Sequence, residues 1–97
     1  MSVIVELSIF PIDKGASVSA YVARVINVIE SSGLPYALNP MGTCIEGEWP
    51  AVLDVVDRCF RELGKDCDRL YLTMKADYRK HRTNGMSSKV ASVESKL

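Results

Sequence analysis

The side chains best able to do chemistry in this chain gather in one short segment, Tyr36 to Gly47, and on the N-terminal strand Val3 to Phe10. In the first, Pro40-Met41-Gly42 breaks a strand-like run, and a second short run ends in Glu46 and Gly47. A threonine, Thr43, and a carboxylate, Glu46, therefore lie close to a tight backbone corner. Thr43 can hydrogen-bond a ligand or serve only as a β-favouring residue. Glu46 can complete a pocket rim or stand solvated in a turn before Gly47. Asn39 can supply an amide contact and Met41 an adaptable apolar wall, or both can be turn chemistry and core filling. On the N-terminal strand, Glu6 interrupts an otherwise apolar centre. An unpaired buried carboxylate is costly, so Glu6 meets either a polar ligand group or a cation such as Lys75 across a subunit boundary. Ser8 shares its face. No catalytic partner lies near these residues in sequence, which suits holding a small polar ligand rather than cleaving one.

The wider search for catalytic chemistry returns little. Cys44, Cys59 and Cys67 have no metal-ligand spacing, and His81 is the single histidine, which excludes a zinc site built on several histidines. There is no P-loop and no glycine-rich phosphate cradle. Pro11 to Gly15 lacks the arginine that an acylphosphatase-like loop after the first strand would need. The basic run Arg79, Lys80 and Arg82 can hold a phosphate or be a solvated loop.

Bulk properties narrow the class further. The 97 residues are expected to form one domain, 1–97, with a feasible but marginal core. Hydrophobic residues make up 47% and charged residues 25%, as in ordinary globular proteins. Twelve basic residues balance twelve acidic ones, so no global field argues for nucleic acid or an acidic membrane. Zero net charge is also compatible with self-association. The odd cysteine count fits a reducing compartment. The opening Met1-Ser2-Val3-Ile4-Val5-Glu6 has no basic n-region and reads as a strand, not a signal peptide. No apolar run approaches the ~20 residues needed to span a bilayer.

The elements that must position these groups follow from periodicity. Val3 to Phe10 alternates as a strand, with Val3, Val5, Leu7 and Ile9 on one face and Ile4, Glu6, Ser8 and Phe10 on the other. After a turn at Asp13-Lys14-Gly15, Ser17 is the expected N-cap of a helix carrying Val18, Tyr21, Val22, Val25, Val28 and Ile29. Gly33 suits the left-handed position after its end. Pro35 to Asn39 and Thr43 to Gly47 read as two strands of a hairpin, with Gly42 suited to a bulge. Trp49 and Pro50 open a second helix, whose stripe of Val52, Val55, Val56, Cys59, Phe60 and Leu63 is the cleanest in the chain. Asp68 to Asp77 reads as a fourth strand, with Leu70, Leu72, Met74 and Ala76 on its apolar face. Ser87 to Leu97 reads as a short helix.

The order β-α-β-β-α-β is the split arrangement of ferredoxin-like folds. An α+β fold is expected: one antiparallel four-stranded sheet, two helices on one face, and a C-terminal helix. The other sheet face mixes Ile4 and Phe10 with Glu6, Ser8, Tyr71, Thr73 and Lys75. Such a face calls for cover by a subunit, a ligand, or both.

With the elements placed, the chain resembles the small thiamine-binding protein family. The matching pieces are Val5-Glu6 leading to Pro11, Ser17-x-Ser19-x-Tyr21-Val22, and Gly33-Leu34-x-Tyr36. They continue through Pro40-Met41-Gly42-Thr43, Ile45-Glu46-Gly47-Glu48, Asp77-x-Arg79 and Lys89-Val90-x-Ser92-Val93. Met41 to Gly47 is the most specific part. The chain departs from the pattern at Ser87, where similar proteins often carry an acidic residue. The resemblance implies dimers or tetramers that bind thiamine or its hydroxymethylpyrimidine part without catalysis and without a cofactor. It makes Glu6, Ser8, Asn39, Met41, Thr43 and Glu46 the candidate ligand residues. A carboxylate or carbonyl would meet the pyrimidine amine, a hydroxyl a ring nitrogen, and an apolar wall the ring face. A cytoplasmic protein with no nucleic-acid or membrane partner is expected. The alternative is an oligomeric structural or regulatory module with no thiamine ligand.

Overall fold

The structure, a computed structural model, describes residues 2–81 and 83–97. Strand β1 (Val3–Pro11) is followed by helix α1 (Ser19–Ser31) and by the hairpin of β2 (Tyr36–Asn39) and β3 (Gly42–Gly47). Helix α2 (Trp49–Gly64), strand β4 (Leu70–Tyr78) and helix α3 (Gly85–Glu94) complete the order. The strands form one antiparallel sheet in the order β2-β3-β1-β4. This is the ferredoxin-like α+β fold that the periodicities predict.

The alternation of β1 sets the core. Val3, Val5, Leu7 and Ile9 are all at most 4% exposed, whereas Ile4, Glu6, Ser8 and Phe10 stay half-buried on the opposite face. Register carries Thr43 and Ile45 of β3 onto the core face, opposite Leu7 and Val5. Cys44 and Glu46 fall on the other face, opposite Glu6 and Ile4. Val25 and Ile29 of α1 and Val52, Val55, Val56, Cys59 and Leu63 of α2 close the core from above. The two helices are also clamped by one side chain. Arg24 of α1 donates from Nε to Glu62 at 3.0 Å and from both terminal nitrogens to Asp66 at 3.0 and 2.9 Å. The planar, forked guanidinium makes that pairing possible.

Several local details differ from the sequence reading. Helix α1 begins after Val18 with no side-chain cap, so Ser17 is not its N-cap. The hairpin turns on Pro40 and Met41 alone: pairing runs unbroken from Tyr36↔Ile45 to Asn39↔Gly42, leaving no bulge at the glycine. Helix α3 starts two residues earlier than expected, at Gly85.

The largest difference is at β4. Its apolar face points to the helix side, yet Leu72 is 38% exposed and Met74 36%. Phe60 of α2, expected in the core stripe, is also exposed. The helices pack mainly over β1 and β3 and cover β4 little beyond Leu70 at its start. Gly33 has φ +76°, as the position after a helix end requires.

Candidate functional site

The hairpin corner, the end of β1 and the start of α1 enclose a cleft of about 230 Å³. Leu7, Ile9, Val22, Val25 and Leu38 give it apolar walls, and Phe10, Pro40, Met41 and Gly42 bound it at the corner. Its polar groups are Ser8, Asn39 and Thr43. No charged side chain lines it among the described residues.

Thr43 is the informative polar group. It is 4% exposed, on the core face of β3 opposite Leu7. Its hydroxyl has no hydrogen-bond partner among the described residues. A buried hydroxyl left unpaired costs roughly 1–3 kcal/mol, so the cleft holds an unmet demand for a polar group. Asn39, at the mouth, is only loosely held: its amide donates to the Ala37 carbonyl at 3.4 Å and to the Cys44 sulfur at 3.8 Å.

Gly42 explains why the corner can close so tightly. A Cβ there would stand 3.1 Å from the backbone oxygen of Leu7 and 3.4 Å from Cγ of Glu6. A backbone oxygen inside a paired strand cannot give way cheaply, so glycine is what lets β3 approach β1 at the cleft. The glycine of the Pro-Met-Gly signature is thus a packing requirement of the corner.

The structure brings four of the six sequence-predicted residues around this cleft: Ser8, Asn39, Met41 and Thr43. Glu6 and Glu46 stand elsewhere. Glu6 pairs with Lys75 at 3.0 Å, across β1 and β4 of one protomer rather than across a subunit boundary. Glu46 is neither a pocket rim nor a solvated turn residue. It is 5% exposed and accepts from the backbone N–H groups of Gly85 and Met86, the latter at 3.2 Å, and from the Ser2 hydroxyl at 3.0 Å. Its carboxylate caps the N-terminus of α3, where negative charge is favoured by the helix dipole.

Sequence reasoning missed the apolar half of the cleft. Val22 and Val25 read as ordinary positions of a helical stripe and Leu38 as one residue of a strand, and only the observed fold brings them around the cleft with Thr43. A second, more open cavity of about 490 Å³ lies between α3 and the other sheet face, lined by Ile4, Ala37, Cys44, Met86 and Val90. It has Lys89 and Glu94 among its lining residues. The basic loop is placed only in part: Arg79, Lys80 and His81 border a small surface hollow, and Arg82 lies outside the described residues. Among the described residues there is no cluster of three or more metal-ligating side chains, and no helix is long and apolar enough to cross a membrane.

The thiols are not activated. Burial pushes Cys59 up to about 11, and its Sγ donates weakly to the Val25 carbonyl at 3.9 Å. Cys44 is raised by burial and then by the neighbouring Glu6 carboxylate. A nucleophilic cysteine needs the opposite shift.

Comparison with known proteins now bears on this geometry. A family model described as thiamine-binding protein matches residues 5–94. The chain is 38% identical over 95 residues to a UPF0045 protein of Mycobacterium tuberculosis, MT1949, covering 97% of this chain and 93% of that one. It is 35% identical to UPF0045 protein MJ1052 of Methanocaldococcus jannaschii, over 94% and 91% of the two chains. The crystal structure of MJ1052 superposes with a TM-score of 0.90 at 34% identity, covering 96% of each chain. A Thermotoga maritima protein, TM0486, assigned provisionally to thiamine biosynthesis or salvage, superposes with a TM-score of 0.81 at 25% identity, over 94% and 99% of the chains. With a match spanning nearly every element that builds the cleft, the chain belongs to the thiamine-binding protein family.

Proposed function

We propose that the protein binds the aminopyrimidine part of thiamine, free or within the whole vitamin, in the cleft between the β2–β3 corner and α1, and does not transform it. The observation that carries this reading is the buried Thr43 hydroxyl, unpaired at the wall of an otherwise apolar cleft. A flat heteroaromatic ring fits between aliphatic walls such as Val22 and Leu38, and a ring nitrogen accepts from the Thr43 hydroxyl. The Asn39 amide at the mouth meets the exocyclic amine. The absence of a lining carboxylate favours the neutral hydroxymethylpyrimidine over the cationic thiazolium, which is left outside the cleft in intact thiamine. Among the described residues no acidic or basic side chain lines the cleft, which supports holding a ligand rather than acid–base turnover. We extend this reading to storage, delivery or sensing in the cytoplasm by a homo-oligomer.

Calorimetric titration with hydroxymethylpyrimidine and with thiamine tests the reading. Saturable binding of both is expected, with the pyrimidine alone retaining most of the affinity. Thr43→Val keeps the shape and removes the hydroxyl. It should weaken binding by roughly fivefold, one hydrogen bond of about 1 kcal/mol, while the melting temperature holds or rises. No heat with either ligand, or a Thr43→Val protein that binds as well as wild type, would refute the site. Chemical conversion of the bound ligand would refute the non-catalytic part.

A further inference from the structure

Zero net charge hides an uneven distribution. From Tyr78 to Val93 the chain carries Arg79, Lys80, His81, Arg82 and Lys89 and no acidic residue. Elsewhere cations are answered: Arg24, Arg58, Arg61, Lys65 and Lys75 each have a carboxylate oxygen within 3.1 Å. Lys89 is taken as well, by Asp77 at 2.6 Å. Among the described residues no carboxylate pairs with Arg79, Lys80 or His81. These three border, with Ser88 of α3, a hollow of about 300 Å³. The backbone shapes it. After β4 ends at Tyr78, His81 takes φ +66° and Asn84 +52°, the only left-handed non-glycine residues among those described. Such backbone strain gathers where a structure holds side chains for binding.

We propose that this hollow binds a phosphate group, free or carried by a small molecule, at a site separate from the cleft. The proposal does not rest on the reading of the cleft as a pyrimidine site.

The donor set selects this chemistry. Two adjacent cations around one hollow repel each other until an anion joins them. A phosphate presents three strong acceptor oxygens. The planar fork of Arg79 can hold two of them, and the Lys80 ammonium can meet the third as a point charge. The His81 ring and the Ser88 hydroxyl add further hydrogen-bonding groups at the wall. The carboxylates nearest the hollow do not compete. Asp77 is held by Lys89, and Glu46, 5% exposed, is occupied by the N–H groups of Gly85 and Met86. Position separates this site from the cleft. The cleft takes its β1 residues from Leu7 to Phe10 and its helical wall from α1. The hollow lies beyond Tyr78, which pairs with Val3. From Val3 to Ser8 the strand alone runs roughly 17 Å, and α3 packs on the sheet face opposite α1. A phosphate in the hollow is therefore not the phosphate of a two-ring ligand anchored in the cleft.

NMR titration of the full chain with methyl phosphate and with inorganic phosphate tests the site, with ionic strength held constant by sodium chloride. Amide signals of residues 79–81 and 88 should shift saturably, and those of Leu38 and Thr43 in the cleft should stay in place. Arg79 and Lys80 are exposed, so their alanine variants should keep the fold, which far-UV circular dichroism checks. Arg79→Ala should weaken binding about tenfold, or roughly 1.4 kcal/mol. Lys80→Ala should weaken it as well, and Arg61→Ala on α2 should leave it unchanged. Tighter binding of methyl phosphate would support the site with an esterified phosphate as its ligand, and tighter binding of inorganic phosphate would support it with the free ion. Shifts that sodium chloride alone reproduces, shifts that never saturate, or an undiminished response in Arg79→Ala would overturn the proposal. So would silence toward both phosphates in a protein that binds single-stranded RNA or phosphatidylglycerol vesicles through the same residues.

Discussion

Substituting Glu46 by glutamine should release α3 while leaving the rest of the fold in place. The carboxylate accepts two backbone N–H groups of the first helical turn and the Ser2 hydroxyl. Glutamine keeps one acceptor oxygen and turns an NH2 group toward the remaining donors. Hydrogen bonds to a charged group contribute about 1.5–3 kcal/mol each, and loss of a cap alone costs about 0.5–2 kcal/mol. Since one acceptor survives, a loss of about 2 kcal/mol is expected. Few other contacts hold the helix: Val90 and Val93 are exposed, and the ion pair that ties it to the sheet, Lys89 to Asp77 at 2.6 Å, is half-exposed. The loss therefore falls on docking of α3, and about 2 kcal/mol corresponds to roughly a thirtyfold increase in local opening. Hydrogen exchange read by mass spectrometry is the assay. Amides of residues 85–94 should exchange about thirtyfold faster in Glu46→Gln, and those of β1 and α2 at the wild-type rate. Unchanged protection of α3, or equal loss of protection throughout the protein, would refute the assignment of Glu46 as its anchor.

Two further outcomes follow from the helix layer. Asp66, hydrogen-bonded by Arg24, and Glu62, hydrogen-bonded first by Lys65 and then by Arg24, both titrate below the usual carboxylate range. A depressed folded-state value contributes stability that is fully present above the unfolded value near ~4 and is lost as pH falls through the folded one. Urea midpoints should therefore fall below about pH 4, and Arg24→Ala should flatten that decline while lowering the neutral-pH midpoint modestly. Among the thiols, Cys59 should resist alkylation of the native protein at pH 8 and Cys44 should react first, with peptide mass spectrometry reading the order. Early labelling of Cys59 would contradict its burial.

Much of the architecture was legible because each helix and strand carries its own period. The stripe of α2 and the alternation of β1 each point to one buried face whatever their neighbours are. Position within the sheet is not a local property. Leu72 and Met74 alternate as cleanly as Val5 and Leu7, yet the helices centre on β1 and leave those two residues of β4 exposed. Glu46 shows the same limit at the site. A glutamate before a glycine reads as a turn residue, and the helix start it caps lies 39 residues further along the chain. Thr43 and Asn39 could be picked out because turn chemistry is local. The aliphatic wall they face, from α1, could not. Ser17 failed as a cap because the helix begins one turn position later, at Val18, whose carbonyl takes the first helical N–H groups.

The pairing of β1 with β4 also governs how the chain can be made. Of the four strands of this sheet, the first to be synthesised lies in the interior, and one of its two neighbours is the last of the four to emerge. Until then β1 is an alternating apolar ribbon with one edge open. Its pairing spans most of the chain, the kind of contact whose loop-closure cost slows folding. A nascent chain can close the β2–β3 hairpin and form α2 early, but it cannot complete the sheet before residues 70–78 have left the ribosome. During synthesis, the N-terminal strand is therefore the segment most in need of protection from other chains.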